Sequence, residues 1–150
     1  MRKIFLFVLL ILSANIFAQD KGFGVGVTIG EPSGFTAKYW VSESNAIDGG
    51  IGYSVVKLDN RIFLYADYLW HKNYFTSEGD KIPFHFGLGF SLRSESHLQN
   101  YLGLRGVVGI SWYFKSVPID IFLEGAGILN FLPLTSFNPN LDLGCRYYFH

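Results

Sequence analysis

Strict two-residue alternation limits the folds open to this chain more than any other feature, and it is clearest in Ile82–Arg93, IPFHFGLGFSLR. Every second residue from Ile82 to Leu92 is large and apolar. The residues between them are small, polar or charged. Successive side chains of a β-strand point to opposite faces, so this segment predicts a strand with one apolar face and one polar face.

Similar alternation recurs along the chain after an apolar amino-terminal stretch, with no helical period in that region. Short links between consecutive strands favour antiparallel hairpins, and eight such strands can close into a barrel that has no exposed edges. The sequence therefore predicts an all-β fold, an eight-stranded antiparallel up-and-down barrel. The eight alternating segments are 23–29, 35–41, 47–55, 62–71, 82–93, 102–114, 119–132 and 141–150, and the longest links are 72–81 and 133–140.

The charged residues of these segments all fall on the polar face, and the opposite face carries no formal charge. The interior of an eight-stranded barrel is just wide enough for side chains, and small residues help it to close. A polar interior inside an apolar outer surface is the transmembrane arrangement. The alternative is a soluble barrel of the lipocalin type, with the apolar face inside. The residues predicted to line the lumen as a charge network are Lys38, Asp48, Asp67, His85, Arg93, Arg105, Asp120, Glu124, Asp142 and Arg146.

Aromatic residues on the apolar face collect near the ends of the even-numbered segments. If the chain starts on the periplasmic side, those ends lie on that side too. Trp and Tyr prefer the membrane interface, where the ring is half apolar and its polar atom stays wet. The predicted aromatic girdle consists of Tyr39, Tyr68, Trp70, Trp112, Tyr147 and Phe149.

The amino terminus has the order of parts expected of an export signal. Arg2 and Lys3 precede the apolar run Ile4–Leu12, and small residues lead to Ala18. That run is too short to span a bilayer, which takes about 20 residues. We therefore expect a signal peptide at 1–18, cleavage near Ala18 and a barrel domain at 19–150.

The charge balance of the chain gives no reason to expect nucleic acid as a partner. The full chain has 12 basic and 12 acidic residues. Removal of Arg2 and Lys3 with the signal peptide leaves ten basic residues against 12 acidic ones. A nucleic-acid-binding domain is expected to carry a clear basic excess.

The export signal, the eight alternating segments and the aromatic end Tyr147-Tyr148-Phe149 resemble the small outer-membrane β-barrels of the OmpA/OmpX-like superfamily. The resemblance implies the outer membrane of a two-membrane bacterium, contact with its lipid, and recognition of the last strand by the barrel-insertion machinery. Two features depart from the family pattern. His150 follows the terminal aromatic residue, and the outer links at 31–34 and 57–60 are very short, whereas members that bind host or phage ligands usually have longer ones.

Estimated strand registers predict three pairs of opposite charges inside the barrel. The turn at 42–45 brings Lys38 near Asp48. The link at 133–140 brings Glu124 near Arg146, and the link at 72–81 brings Asp67 near His85. An unpaired charge in a confined interior is costly, so pairing is expected. We interpret the charges as a polar plug that closes the lumen, and the alternative is a narrow ion path or proton relay.

The pattern favours a non-enzymatic protein with a structural or surface-adhesion role and with no cofactor or metal. The alternative is a ligand-binding barrel, either a surface receptor for host molecules with an unidentified extracellular ligand or a soluble lipid carrier. A lipid A acyl-modifying enzyme is a third hypothesis, because Ser94–His97 holds Ser, Glu and His, the residue types of nucleophilic catalysis. The motif spacing of such enzymes is not matched. The glycines of Gly22–Gly30 alternate as in a strand rather than as in a phosphate-binding loop.

Overall fold

The chain forms one closed sheet of eight antiparallel strands, each paired with its neighbours in sequence order. This computed structural model describes residues 22–54, 61–77, 80–95 and 99–149, and for 73–77 it describes the backbone alone. The predicted eight-stranded antiparallel barrel is confirmed. The strands are β1 (Phe23–Glu31), β2 (Ser33–Trp40), β3 (Asn45–Tyr53), β4 (Arg61–Ser77), β5 (Asp80–Glu95), β6 (Asn100–Tyr113), β7 (Ile119–Leu132) and β8 (Ser136–Phe149).

The barrel closes where β1 pairs with both β2 and β8. Val25 lies opposite Ala37 on one side and opposite Tyr147 on the other. Ladder partners can be traced from Phe23 through each strand in turn until the path has gone once around the barrel. The path ends at a position on the line of β1 about ten residues after Phe23, and this offset is the stagger of the barrel. Such a stagger requires strands that are tilted by about 40° against the barrel axis.

The barrel has two ends, which we name by the strand termini found there. The inner end is where even-numbered strands finish, at Trp40 and Phe149, and the outer end is where odd-numbered strands finish, at Glu31 and Tyr53. At the outer end of the first hairpin, Pro32 alone separates β1 from β2.

The two faces of the strands lie where the alternation predicts. Large apolar side chains of the uncharged face point away from the barrel, and Phe35 and Leu88 are 69% and 64% exposed. Charged side chains of the other face point inward, and Lys38, Asp48 and His85 are 0% exposed. The barrel therefore has an apolar outer surface around a polar interior. In the part of the chain that the structure describes, no helix is long and apolar enough to cross a membrane.

Apolar residues fill the space that the charges leave in the lumen. Leu69, Val107 and Ala126 form one buried cluster, although all three lie on the polar face of their strands. Trp40, Ala46 and Tyr148 form another near the inner end. The interior is thus a packed core of mixed polarity, as expected for a barrel of this strand number.

The predicted connection at 72–81 is wrong, because most of it belongs to two strands. β4 continues to Ser77, and β5 begins at Asp80. The polar composition of KNYFTSEGDK is typical of a loop, but the ladder Thr76↔Lys81 and Ser77↔Asp80 extends the hairpin. Trp70 therefore lies well before the end of β4 rather than at it.

The predicted loop at 133–140 is also too long, since β8 begins at Ser136. Pro139 and two Asn residues are typical of loops, yet Pro139 pairs with Gly127 of β7. The β1 ladder ends at Glu31↔Leu141, so Pro139 has a strand neighbour on one side alone among the described residues. Such an edge position tolerates the missing N–H of proline. The predicted signal peptide, the link at 57–60, Ser96, His97 and His150 lie outside the described residues.

Candidate functional site in the barrel interior

The candidate site is the group of charged side chains buried in the lumen. Nine of the ten residues predicted for this network are no more than 7% exposed, and these are Lys38, Asp48, Asp67, His85, Arg105, Asp120, Glu124, Asp142 and Arg146. They lie on strands on all sides of the barrel, and each is buried because it is on the inward face of its strand. Most of them belong to three clusters, each organised around a cation.

The first, the Arg146 cluster, joins β2, β3, β7 and β8. The Arg146 guanidinium donates to Asp48 Oδ2 at 2.6 Å and to Thr36 Oγ1 at 3.2 Å, and it lies 3.7 Å from Asp120 Oδ2. Thr36 also donates to Asp48 Oδ1 at 3.1 Å. The guanidinium carbon stands 3.7 Å from the Phe122 ring centroid, a cation–π geometry. One planar cation thereby joins two carboxylates.

The second, the Arg105 cluster, lies across β4, β5, β6 and β7. Arg105 pairs with Asp67 through one nitrogen and with Glu124 Oε1 through another at 3.0 Å. The second Glu124 oxygen lies 3.0 Å from His85 Nε2. Arg105 also stacks on the Tyr65 ring at 4.3 Å. Glu124 is thus bonded on both oxygens.

The third, the Lys38 cluster, closes the inner end. Lys38 Nζ lies 2.7 Å from His71 Nε2 and 3.1 Å from Tyr113 Oη, and it stands 4.8 Å from the Trp40 ring centroid. The His71 and His85 rings are 5.3 Å apart, which brings this cluster next to the Arg105 cluster.

The three predicted ion pairs are not the pairs that form. Lys38 lies opposite Asp48 in the ladder as expected, but its amine bonds His71 and Tyr113 while Asp48 bonds Arg146. Glu124 lies opposite Asp142, and it is Asp120 that lies opposite Arg146. The shorter β7–β8 link shifts that register, and strand tilt lets long side chains reach across the lumen to partners that are not ladder neighbours.

The third of those predictions, Asp67 with His85, is wrong as well. In the longer β4–β5 hairpin, Asp67 lies opposite Gly89 and His85 lies opposite His71. Asp67 therefore pairs with Arg105, and His85 pairs with Glu124.

Arg93, the tenth predicted residue, lies apart from the three clusters. Its side chain is 20% exposed at the outer end, where its Nε is 3.3 Å from Glu95 Oε1 and its guanidinium stacks on Tyr101 at 4.5 Å. Arg61 Nε also approaches Glu95 Oε1, at 3.4 Å. Glu95 therefore joins two arginines at one side of the outer mouth.

Asp142 is buried, but it joins no cluster. It is 7% exposed, and no described residue hydrogen-bonds or ion-pairs with its carboxyl group. It lies opposite Gly30 and Glu124 in the two adjoining ladders. It is the one predicted lumen carboxyl for which the described residues supply no direct partner.

His85 also connects Ser111 with Glu124, an order of groups that resembles a nucleophile, a base and an acid. Ser111 Oγ lies 3.5 Å from His85 Nδ1, near the limit of a hydrogen bond. Ser111, His85 and Glu124 are each no more than 2% exposed as whole residues, so the hydroxyl does not face solvent. Within the described residues, no group of three or more His, Cys, Asp or Glu is arranged to hold a metal ion.

Several network members were not predicted, although they share the inward parity of the predicted charges. They are Thr36, Tyr65, His71, Ser111, Tyr113 and Tyr148, and each contributes a hydrogen bond or a ring to one of the clusters. Their position on the polar face was a usable signal, because any polar group on that face must find a partner inside.

The predicted aromatic girdle lies on the outer surface. Tyr39, Tyr147 and Phe149 are 48%, 48% and 53% exposed, and Trp70 and Trp112 are 37% and 45% exposed. Trp112 Nε1 donates to Asp80 Oδ2 at 3.0 Å, which places the indole beside the first residue of β5.

Two solved structures are similar to this fold. The N-terminal β-barrel domain of OprF from Pseudomonas aeruginosa is 14% identical with a TM-score of 0.59, over 86% of this chain and 98% of that one. Neisserial surface protein A is 14% identical with a TM-score of 0.53, over 85% of this chain and 94% of that one. No protein-family model matches the chain, and no curated protein matches it at a significant level. The chain therefore has the fold of the small eight-stranded outer-membrane β-barrels that its sequence resembles.

Proposed function

We propose that this protein is a non-enzymatic β-barrel of the outer membrane of a two-membrane bacterium, with a structural role. The observation that carries the proposal is that the barrel is apolar outside and charged inside, the reverse of a water-soluble protein. An uncharged belt of exposed apolar side chains surrounds an interior in which Arg105, Arg146 and Lys38 are buried. Water around the barrel would leave that belt exposed, whereas a lipid bilayer would cover it.

The contents of the lumen support a plug rather than a pore. The Arg146 and Arg105 clusters cross the interior, and the Lys38 cluster with Trp40 and Tyr113 fills the inner end. An eight-stranded barrel holds side chains but no continuous aqueous channel. The clusters hold opposite walls of the barrel together, so we assign them a stabilising role.

Export and insertion complete the proposal. After cleavage near Ala18, the mature chain would cross the periplasm and be recognised through β8 by the barrel-insertion machinery. Tyr147 and Phe149 at the end of β8 point outward, where a partner can contact them. In this orientation the inner end faces the periplasm.

Surface adhesion is the second candidate, and exposed apolar residues at the outer end favour it. Leu134, in the link between β7 and β8, is 73% exposed, and Phe137 is 67% exposed. In the proposed orientation Leu134 belongs to the link on the cell surface. Exposed apolar side chains in such a link can pack against the surface of another molecule or cell. Adhesion of cells that express Leu134→Ser, compared with the unchanged protein, would test this role.

The deciding experiment is gel mobility of the mature protein from outer-membrane fractions, with and without boiling. A closed membrane barrel resists detergent until it is heated, so the unheated band should migrate differently from the heated band. Reconstitution in planar bilayers should give no steady conductance, because the lumen is packed. A soluble periplasmic protein with no heat-dependent shift would contradict the proposal and would favour a lipocalin-like lipid carrier.

A further inference from the structure

An apolar groove crosses the outer surface of the barrel over β4, β5 and β6. Two rows of ladder partners form it, because Trp70 lies opposite Phe86, Phe86 lies opposite Val108, and Leu88 lies opposite Gly106. All five residues line the groove. Each has the outward parity of its strand, so the groove opens toward the surroundings of the barrel and not toward the lumen.

Gly106 makes the floor of this groove. Apart from its chain neighbours, a Cβ at this position would find no described atom nearer than Leu88 Cδ2, at 3.9 Å. Leu88 beside it is 64% exposed. The surface therefore drops from a projecting leucine to bare backbone, which leaves room for a narrow apolar group such as a methylene chain.

Aromatic rings form the wall of the groove on the β4 side. The Trp70 and Phe86 rings stack with their centroids 5.7 Å apart, and the Tyr68 ring meets Trp70 edge-on at 5.0 Å. The Tyr68 hydroxyl accepts a hydrogen bond from Asn45 Nδ2 at 3.1 Å. These contacts hold the rings before any ligand arrives, so binding against them costs little ordering.

Positive charge collects at the inner end of the same three strands. The exposed lysines of the described residues all lie there, in β4, in β5 and in the link after β6, and they are Lys72, Lys81 and Lys115. Asp80, at the start of β5, accepts hydrogen bonds from Trp112 and from the Lys115 amide. One described carboxylate therefore stands among three cations, and this part of the inner end attracts anions.

Lys72 is the lysine that continues the wall of the groove. It follows Trp70 by two residues toward the inner end, has the same outward parity and lies opposite Phe84. Two residues of a strand span about 7 Å. A lysine stem can lie along apolar surface while its ammonium group reaches the polar boundary of a membrane.

We propose that the groove and Lys72 together bind one anionic glycerophospholipid of the inner leaflet. An acyl chain lies on Gly106 between Leu88 and the Trp70–Phe86 wall, and the lipid phosphate pairs with the Lys72 ammonium. The proposal rests on the proposed function, since the orientation of the barrel places the inner end at the headgroups of that leaflet.

The combination of features selects this occupant. A soluble anion would use Lys72 and leave the groove empty, and an uncharged apolar surface would fill the groove and leave Lys72 without a counter-ion. A lipid with an apolar chain and an anionic headgroup satisfies both.

Native mass spectrometry of the purified mature barrel in detergent tests the site. The probes are phosphatidylglycerol and phosphatidylcholine with the same acyl chains, each titrated into the protein. We expect one bound phosphatidylglycerol and an approximately fivefold weaker Kd for phosphatidylcholine, the effect of about one lysine at an anionic lipid surface.

Two pairs of variants separate the site from general attraction to lipid. Lys72→Gln should raise the Kd for phosphatidylglycerol about fivefold, whereas Lys115→Gln removes the same charge outside the groove and should leave it unchanged. Gly106→Leu fills the floor and should abolish retention of the lipid. Ala37→Leu adds bulk on the outward face of β2, on another side of the barrel, and should have no effect.

Equal Kd values for the two lipids, equal effects of Lys72→Gln and Lys115→Gln, or a retained lipid in Gly106→Leu would each overturn the site. The heat-dependent gel shift of every variant is measured in parallel. A retained shift in an unchanged protein that holds no phosphatidylglycerol refutes the lipid site alone, whereas a lost shift in the unchanged protein refutes the membrane barrel itself.

Discussion

Glu124 is the residue through which charges from four strands meet. Its two oxygens bond Arg105 and His85, and Arg105 in turn holds Asp67. Replacing such a buried residue lowers stability strongly, because the charge of its former partner is then left in the interior without compensation.

Replacement of Glu124 should therefore destabilise the barrel more than replacement of a carboxylate at its mouth. We expect Glu124→Ala to lower the free energy of unfolding by about 3–5 kcal/mol, since Arg105 loses one of its two acidic partners. Glu31→Ala, which removes a single bond from Ser54, should cost about 1 kcal/mol. Urea unfolding midpoints in detergent micelles measure both, and equal losses would contradict the structural role of Glu124.

Arg146 provides a second comparison at this scale, because lysine keeps the charge and loses the planar fork. Arg146→Lys should cost about 2–3 kcal/mol, since a lysine ammonium lacks the planar fork with which Arg146 bonds Asp48 and Thr36 and stacks on Phe122 at the same time. Arg93→Lys, at the partly exposed mouth, should cost under about 1 kcal/mol. The same unfolding measurement applies, and a smaller loss at Arg146 than at Arg93 would refute the buried cluster.

At the scale of strands, glycine positions show which face is crowded. A Cβ at Gly144 of β8 would overlap the Phe122 ring and approach the Val27 carbonyl oxygen at 2.7 Å. A Cβ at Gly125 of β7 would meet nothing within 4 Å. Gly144 faces the filled lumen, and Gly125 lies on the opposite face of its strand.

Alanine substitution at these two glycines should lower stability by different amounts on the two faces. Gly144→Ala should lower stability by about 1–3 kcal/mol, because a filled interior does not accept an extra methyl group without strain. Gly125→Ala should change it by less than about 0.5 kcal/mol. Both variants should be refolded in the same detergent and unfolded with urea. Comparable losses would mean that the lumen beside Gly144 is not packed.

Strand boundaries were harder to predict than strands. The alternation located all eight strands, since side-chain parity is a local property. It missed the ends of β4, β5 and β8, where polar residues and Pro139 are typical of loops. Those ends are set by neighbours: Tyr113 and Trp112 hold the start of β5, and β7 pairs with β8 back to Ser136.

At the scale of the whole molecule, the three tryptophans report which face meets lipid. Trp40 is 8% exposed in the lumen, whereas Trp70 and Trp112 are 37% and 45% exposed on the outer surface. Each can be left as the single tryptophan by changing the other two to phenylalanine.

In vesicles of lipids with brominated acyl chains, fluorescence of Trp70 and of Trp112 should be quenched strongly. Trp40 should be quenched weakly, because the barrel wall separates it from the acyl chains. Vesicles of unbrominated lipid give the reference intensity for each variant. Strong quenching of Trp40 with little effect on the other two would mean that the faces are assigned to the wrong environments.

The sequence predicted which residues make up the candidate site but not which of them bond to one another. Inward parity identified nine residues that are buried in the lumen, because side chains on that face point into the barrel interior, and Arg93 differs because it lies at the outer mouth. The pairs were wrong because pairing depends on register, tilt and side-chain reach across the lumen. Arg146, for example, bonds Asp48, which lies on a strand that is not its ladder neighbour.

By itself, the sequence determined the strand count, the antiparallel order and the polarity of each face, because all three follow from two-residue periodicity and short links. Tertiary structure decided which charges pair and how far the β4–β5 hairpin extends beyond the start of β3. These outcomes depend on the stagger with which the barrel closes and on contacts between strands distant in sequence. Local patterns along the chain do not encode those distances.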